Sequence, residues 1–220
     1  MCVPPDVIPG TATKVILRGW SLKDARLVAA SPDGATIEIL SHGAAPVPGR
    51  QKAEEIGDEQ LELQVTVPED FDHRQLQLTV TTPAGTSQPH RLLTGGDVSV
   101  VSEVEPNDGF RQAQAVSFPQ IISGTIHADG NVDVYTVKLD QETRIRIRIE
   151  AAHLGSNLDS LLTVYSASGN IVASNDDDGD LRDSLVETTL PTGSYHIVLQ
   201  DAHDRGGPAH PYRLTIRQQP

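Results

Sequence analysis

Residues 143–150 read Thr143-Arg144-Ile145-Arg146-Ile147-Arg148-Ile149-Glu150. Ile145, Ile147 and Ile149 fall on one side of an extended chain, and Arg144, Arg146 and Arg148 fall on the other. Side chains alternate across a strand, so this stretch predicts an antiparallel strand with one face on a core and one in water. The same period recurs outward in both directions. Leu61, Leu63, Val65 and Val67 alternate with Glu62, Gln64 and Thr66; Leu76, Leu78 and Val80 alternate with Gln75, Gln77 and Thr79. Tyr195, Ile197 and Leu199 form a further inward set, as do Tyr212, Leu214 and Ile216. Pro32-Asp33-Gly34, Pro83-Ala84-Gly85, Ser168-Gly169-Asn170 and Pro191-Thr192-Gly193 supply the turns between such runs. Only short stretches such as Phe110–Val116 suit a helix. The pattern predicts an all-β protein of two tandem β-sandwiches.

The boundary is placed at Thr94-Gly95-Gly96, giving domains 1–96 and 97–220. Strands are expected near 13–18, 25–30, 36–40, 61–67, 75–82 and 86–93 in the first. In the second they are expected near 120–126, 132–139, 144–151, 161–166, 171–174, 185–190, 194–200 and 212–217. The stretch 41–60 reads as a long polar loop carrying Pro46, Pro48 and Gly49.

The chain has 220 residues and a formal net charge of -13. Residues 1–96 carry 8 basic and 12 acidic side chains, and residues 97–220 carry 9 and 18, so the excess acid lies in the second half. Such a chain repels phosphate, which argues against nucleic acid and in favour of cations. No apolar run is long enough to span a bilayer as a helix. The single cysteine, Cys2, excludes an internal disulfide and a thiolate metal site. It reads either as an incidental cysteine or as the lipid-bearing residue of a lipoprotein, and the first reading is preferred.

Glu103-Val104-Glu105-Pro106-Asn107-Asp108 packs three carboxylates and an amide into six residues where the two halves meet. Hard cations such as Ca²⁺ take several oxygen ligands. The string reads either as a calcium-ordered hinge or as a solvated acidic linker. Asp129, Asn131 and Asp133 offer oxygens at one-three-five spacing just before a strand, and metal is the preferred reading there. Asn175-Asp176-Asp177-Asp178-Gly179-Asp180, with Asp183, is the densest acidic run. It lacks the glycine and the twelfth-position glutamate of an EF-hand loop, and an exposed loop is preferred over a second calcium site.

Glu103–Asp108, Ile122-Ser123-Gly124-Thr125-Ile126 and Asn131–Val137 together resemble the bacterial pre-peptidase C-terminal domain. Leu158–Tyr165, Ser168–Ala173, Gly193–Val198 and Tyr212–Ile216 continue the resemblance in order, over about residues 101–217. It implies a jelly-roll-like sandwich from a secreted or surface bacterial protein, related to calcium-dependent collagen-binding domains. It further implies that Glu103, Glu105, Asn107 and Asp108 match linker ligands and that Asp129 and Asp133 match an acidic loop ligand set for Ca²⁺. The four tyrosines of the chain fall short of a collagen-binding tyrosine face, and Tyr135, Tyr195 and Tyr212 take inward positions. Val7–Gly10, Val15–Leu22 and Leu76–Thr86 resemble an IPT/TIG immunoglobulin-like domain over about residues 4–94.

No Gly-x-Ser-x-Gly, His-x-x-x-His or phosphate loop is present in the sequence. The expectation is a noncatalytic calcium-binding accessory module, secreted or in the cell envelope of a bacterium. It would space or dock neighbouring domains, with extracellular protein or polysaccharide as candidate partners. The alternative is a substrate-targeting module of a secreted hydrolase. Thr94-Gly95-Gly96 and the acidic string are expected to form a protease-sensitive hinge that calcium protects.

Overall fold

The computed structural model describes residues 1–219, and almost all of its regular structure is strand. The chain divides into two compact units, Met1–Asp97 and Val98–Pro220.

The first unit contains β1 (Cys2–Val3), β2 (Ala12–Gly19), β3 (Leu27–Ser31) and β4 (Thr36–Ala44), then helix α1 (Ala53–Ile56). It continues with β5 (Glu59–Thr66), β6 (Gln75–Thr82), β7 (Gly85–Thr86) and β8 (His90–Leu93). One sheet has the order β1-β2-β5-β4; the other is β3-β6-β7, with β8 also on β6. Val15, Leu17, Leu61, Leu63 and Val65 from the first sheet meet Val28, Leu76, Leu78, Val80 and Leu92 from the second in one core. Cys2 is buried in that core, so its side chain is a packing group, and burial pushes its thiol up to about 11.

Two expectations need correction here. The stretch 41–60 is not all loop: β4 runs to Ala44 and a single helical turn covers Ala53–Ile56. Buried Arg18 gathers this segment by donating to the carbonyls of Pro46, Ile56 and Gly57 at 2.7–2.8 Å. The stretch 86–93 is two short strands, broken where Ser87-Gln88-Pro89 leaves the ladder.

The second unit contains β9 (Val100–Ser102), β10 (Gln114–Val116), β11 (Gln120–Thr125), β12 (Val132–Leu139) and β13 (Thr143–Glu150). After them come β14 (Ser160–Ser166), β15 (Ile171–Asn175), β16 (Leu185–Leu190), β17 (Gly193–Asp201) and β18 (Pro211–Gln218). Two five-stranded sheets have the orders β10-β12-β17-β14-β15 and β16-β13-β18-β11-β9. Ile145, Ile147 and Ile149 are fully buried, as their alternation requires, against Val137, Leu162, Val164, Ile197 and Leu199 from the facing sheet.

The strands at 100–102 and 114–116 were not legible in the sequence. β9 pairs in parallel with β11 at the edge of one sheet. β10 pairs in parallel with β12 at the edge of the other. Phe110–Val116 is therefore a turn followed by an edge strand and contains no helix. The acidic string lies between these two edge strands. It is the segment by which the chain crosses from one sheet of the sandwich to the other, so it belongs to the second unit's own fold. The stretch between the last strand of the first unit and the first strand of the second is only 94–99. Thr94 in that stretch is held by its amide to the Arg74 carbonyl at 3.0 Å and by its hydroxyl to the His73 carbonyl at 2.6 Å.

Candidate metal centre

The crossing segment starts where β9 ends. Glu103 donates its amide to the Ser123 carbonyl at 2.9 Å, extending the β9–β11 pairing by one step. This fixes its side chain over β11, where Oε2 accepts from the Thr125 amide at 2.9 Å. Asn107 is fully buried, and its carbonyl accepts from the Val134 amide of β12 at 2.9 Å. Its own amide donates to Glu105 Oε2 at 3.0 Å, and its Nδ2 donates to Glu103 Oε1 at 3.2 Å. The segment is thus tied to both sheets, with Glu105 held between the two anchors.

Asp133, at the start of β12, completes the arrangement. Glu103, Glu105 and Asp133 each offer a carboxylate oxygen, and these oxygens lie within 4.8 Å of one another. Asp133 is fully buried, Glu103 is half-buried and Glu105 is exposed, so the group opens to solvent on the Glu105 side. Glu105 Oε1 also meets His127 Nδ1 at 2.7 Å.

Beneath the carboxylates lie two phenols. The Tyr212 hydroxyl reaches Asp133 Oδ2 at 2.6 Å and Glu103 Oε1 at 2.9 Å. The Tyr135 hydroxyl reaches Glu103 Oε1 at 3.1 Å and also contacts the Tyr212 hydroxyl. Burial raises both phenols well above the ordinary tyrosine range, and the neighbouring anions add to the shift, so both stay protonated and act as donors. Gly124 makes room for them. A Cβ there would lie 2.5 Å from Cζ and the hydroxyl of Tyr212 and 3.0 Å from Glu103 Oε2.

Hydrogen bonds do not satisfy this cluster. Among the described residues, Asn107 Oδ1 and Asp133 Oδ1 are buried oxygens with no donor. Burial and the adjacent Glu103 push the Asp133 carboxyl up to about 9, with Glu105 contributing and the Tyr212 hydroxyl opposing. Three carboxylates in this space cannot all ionise together unless positive charge joins them. Oxygen donors of this kind suit a hard divalent cation, whereas copper favours nitrogen and sulfur ligands.

The other residues singled out in the sequence have separate places. Asp108 is exposed, and its Oδ1 accepts from Asn131 Nδ2 at 3.1 Å; Asn131 Oδ1 in turn accepts from the His127 amide at 2.9 Å. Asp129 accepts from the Gly206 amide at 3.1 Å and so braces the loop after β17. The spacing of Asp129, Asn131 and Asp133 therefore does not converge on one point: only Asp133 enters the three-carboxylate group. In the run 175–183, Asp178 and Leu181 exchange backbone hydrogen bonds across a tight turn at Gly179. Asp183 is buried and accepts from the amides of Ala151 and Ala152 at 2.9–3.2 Å. Among the described residues, no three acidic groups of that run approach one another as Glu103, Glu105 and Asp133 do.

Sequence reasoning found the carboxylates and missed their support. Tyr135 and Tyr212 were placed inward without a role. The available signal was a glycine inside the strand Ile122–Ile126, since glycine within a strand marks close approach by another group. Phe110 was also missed. It stacks on His196 with centroids 4.3 Å apart and meets Tyr165 edge-on at 5.2 Å, fastening the end of the crossing segment to the outer face of β14 and β17.

No family model and no curated protein matches this chain. Among solved structures, it is similar to the pre-peptidase C-terminal domain of a Bacillus anthracis collagenase, at 15% identity and a TM-score of 0.41. That match covers 52% of this chain and 100% of the other. It is also similar to CorA, described as a surface-associated copper-binding protein of Methylomicrobium album BG8. There the identity is 11% and the TM-score 0.34, over 56% of this chain and 98% of the other. A third similarity is to the Bacteroides ovatus glucan-utilization protein SGBP-B, solved with a mixed-linkage heptasaccharide. Its identity is 7% and its TM-score 0.29, over 96% of this chain and 72% of that one.

Proposed function

We propose that this chain is a noncatalytic accessory module of a secreted or surface-exposed bacterial protein, and that its second unit binds one Ca²⁺. Glu103, Glu105 and Asp133 would hold the ion, with Asn107 Oδ1 as a neutral oxygen from the same segment. The observation that carries the reading is the pair of buried, donorless oxygens, Asn107 Oδ1 and Asp133 Oδ1, beside two further carboxylates. Asp108 and Asp129 are proposed as supports of the flanking loops and not as ligands, because neither brings an oxygen into the three-carboxylate group and each bonds to a loop partner.

When bound, the cation supplies charge neutralisation. The residues of the chain then do mechanical work. Glu103 extends β9, Asn107 docks on β12, and Glu105 lies between them, so a common ligand locks the sheet-to-sheet crossing. The protein would use this lock to present neighbouring domains in a fixed way. The first unit is proposed to act as an immunoglobulin-like spacer. A secreted location and a bacterial source rest on the sequence resemblance. Among the described residues no helix is long and apolar enough to cross a membrane.

Several histidines have partners that suit structure better than nucleophile activation. His196 stacks on Phe110, His127 pairs with Glu105, and His203 lies 3.6 Å from Asp159. A substrate-targeting module remains the alternative, and an exposed aromatic row would favour it. The Phe110–Tyr165 contact is a pair and not a row.

Thermal melts test the calcium reading. A ligand at a hundred times its dissociation constant stabilises the folded state by about 2.7 kcal/mol. The transition of the second unit is expected several degrees higher in millimolar Ca²⁺ than in chelator, and the difference should vanish in Glu105→Gln/Asp133→Asn. Identical melts of the native chain in the two buffers would remove calcium from the account.

A further inference from the structure

The outer face of the sheet β16-β13-β18 carries five of the nine basic residues found after residue 97: Arg144, Arg146, Arg148, Arg213 and Arg217. Two glutamates share it, Glu150 and Glu187, so the face holds 5 − 2 = +3 charges. The stretch 97–220 as a whole holds 9 − 18 = −9. Each glutamate has one arginine partner. Glu187 lies 3.3 Å from Arg146, and Glu150 lies 3.7 Å from Arg213.

The remaining three arginines are arranged against the needs of the fold. Arg217 on β18 is directly opposite Arg146 on β13. Like charges in that relation repel and weaken the ladder. Arg148 has Thr215 and Leu185 as its two cross-strand neighbours, and Arg144 has Thr189. Among the described residues neither has an acid directly across the ladder, although the chain has 30 acidic residues to place. Among the described residues, Arg148 Nε is in addition a buried donor with no hydrogen-bond partner. Arg144 and Arg217 are exposed.

Alternate residues on a strand are about 6.7 Å apart and share one face, so Arg144, Arg146 and Arg148 leave the same side of β13 in sequence. Guanidinium forks bind carboxylate and sulfate in a bidentate way. Two of the side chains directly across from the row are hydroxyls, Thr189 and Thr215. Leu185 is its one aliphatic neighbour of the row. An extended peptide would need sheet-edge amides or apolar pockets, which the middle of a sheet face does not offer. A chain bearing repeated acid groups and many hydroxyls matches it better.

We propose that this arginine face binds an acidic polysaccharide, held by Arg144, Arg148 and Arg217 with Arg146 completing the row. The interaction is independent of the calcium reading.

The test uses the full chain with calcium chelated, so that the cation does not bridge carboxylates. Immobilised polygalacturonate is the probe, with neutral dextran and polyglutamate in parallel. The chain should bind polygalacturonate, and binding should weaken steeply between about 50 and 200 mM salt, as contacts to a polyanion do. The variant Arg144→Gln/Arg148→Gln/Arg217→Gln should lose at least about tenfold in affinity, since three charge-assisted contacts go with it. Its melting temperature should stay level or rise, because repulsion is removed. The single change Arg217→Gln, at an exposed position, should give a smaller loss of binding with no loss of stability. Equal retention on dextran, native affinity in the triple variant, or a markedly lower melt for either variant would overturn the proposal. Binding to polyglutamate without binding to polygalacturonate would replace the saccharide with an acidic peptide.

Discussion

Asp133 and Asn107 each leave one side-chain oxygen buried without a donor, while Tyr135 and Tyr212 spend their protons on the oxygens next to them. A buried acceptor without a partner is costly, and several acceptors facing one another are costlier still. The two phenols lower that cost without removing it. Tyr212→Phe should therefore destabilise the second unit by about 1–3 kcal/mol in chelator, the typical cost of stripping a buried polar group of its donor. The loss should shrink in Ca²⁺, because the ion serves the same oxygens. Unchanged melts of Tyr212→Phe in chelator would show that the hydroxyl does not support the cluster. Gly124 belongs to the same argument. Its bare Cα lets the Tyr212 ring pass within reach of Glu103, and no side chain fits there.

At the scale of elements, the central fact is that the acidic string is a sheet-to-sheet crossing between two short parallel edge strands. The inward and outward faces of β13, β17 and β18 were legible in the sequence because a period of two needs only local residues. β9 and β10 were not legible. Each is three residues long, and each exists because a partner strand far along the chain supplies its ladder. The same limit applied to the site. The clustering of Glu103 and Glu105 was visible within one string, whereas the meeting of Asp133 with them depends on β12 lying beside the crossing. Asp129, Asn131 and Asp133 do not face one point because Asp129 and Asn131 lie in the turn at Gly130, before β12 begins, and only Asp133 stands on the strand. Phe110 fastens the far end of the crossing by its stack on His196. Aromatic pairs of this geometry contribute about 0.5–1.5 kcal/mol. Phe110→Ala should then weaken calcium binding by roughly two- to tenfold, although it touches no ligand. Titration calorimetry measures this, and an unchanged dissociation constant would mean that the crossing is held by its ligands and hydrogen bonds alone.

For the whole molecule, the connection between the two units is short and lies outside the acidic string. Thr94 is anchored by hydrogen bonds and the Ser99 carbonyl accepts from the Ile121 amide at 3.1 Å, which leaves Gly95–Val98 as the accessible stretch. Limited proteolysis should divide the chain there into two stable fragments. Cutting within Glu103–Asp108 should be slow in chelator and slower still in Ca²⁺, since that segment is part of a sandwich in either case. Fast cutting inside the string in both conditions would contradict its place in the fold. The excess negative charge of the second half also acquires a partial explanation at this scale. Three of its carboxylates face a common point, Asp183 and Asp201 are buried acceptors of backbone amides, and most of the rest are solvated.

The central claim is that these three carboxylates and Asn107 hold a cation, and the most direct measurement is anomalous scattering from crystals of the full chain grown with Ca²⁺. The expected result is a single strong anomalous peak among Glu103, Glu105 and Asp133, within coordination distance of Asn107 Oδ1, at the 2.3–2.6 Å typical of calcium–oxygen contacts. A map with no peak there, while Asp133 and Glu103 keep the hydrogen bonds to Tyr135 and Tyr212, would contradict it.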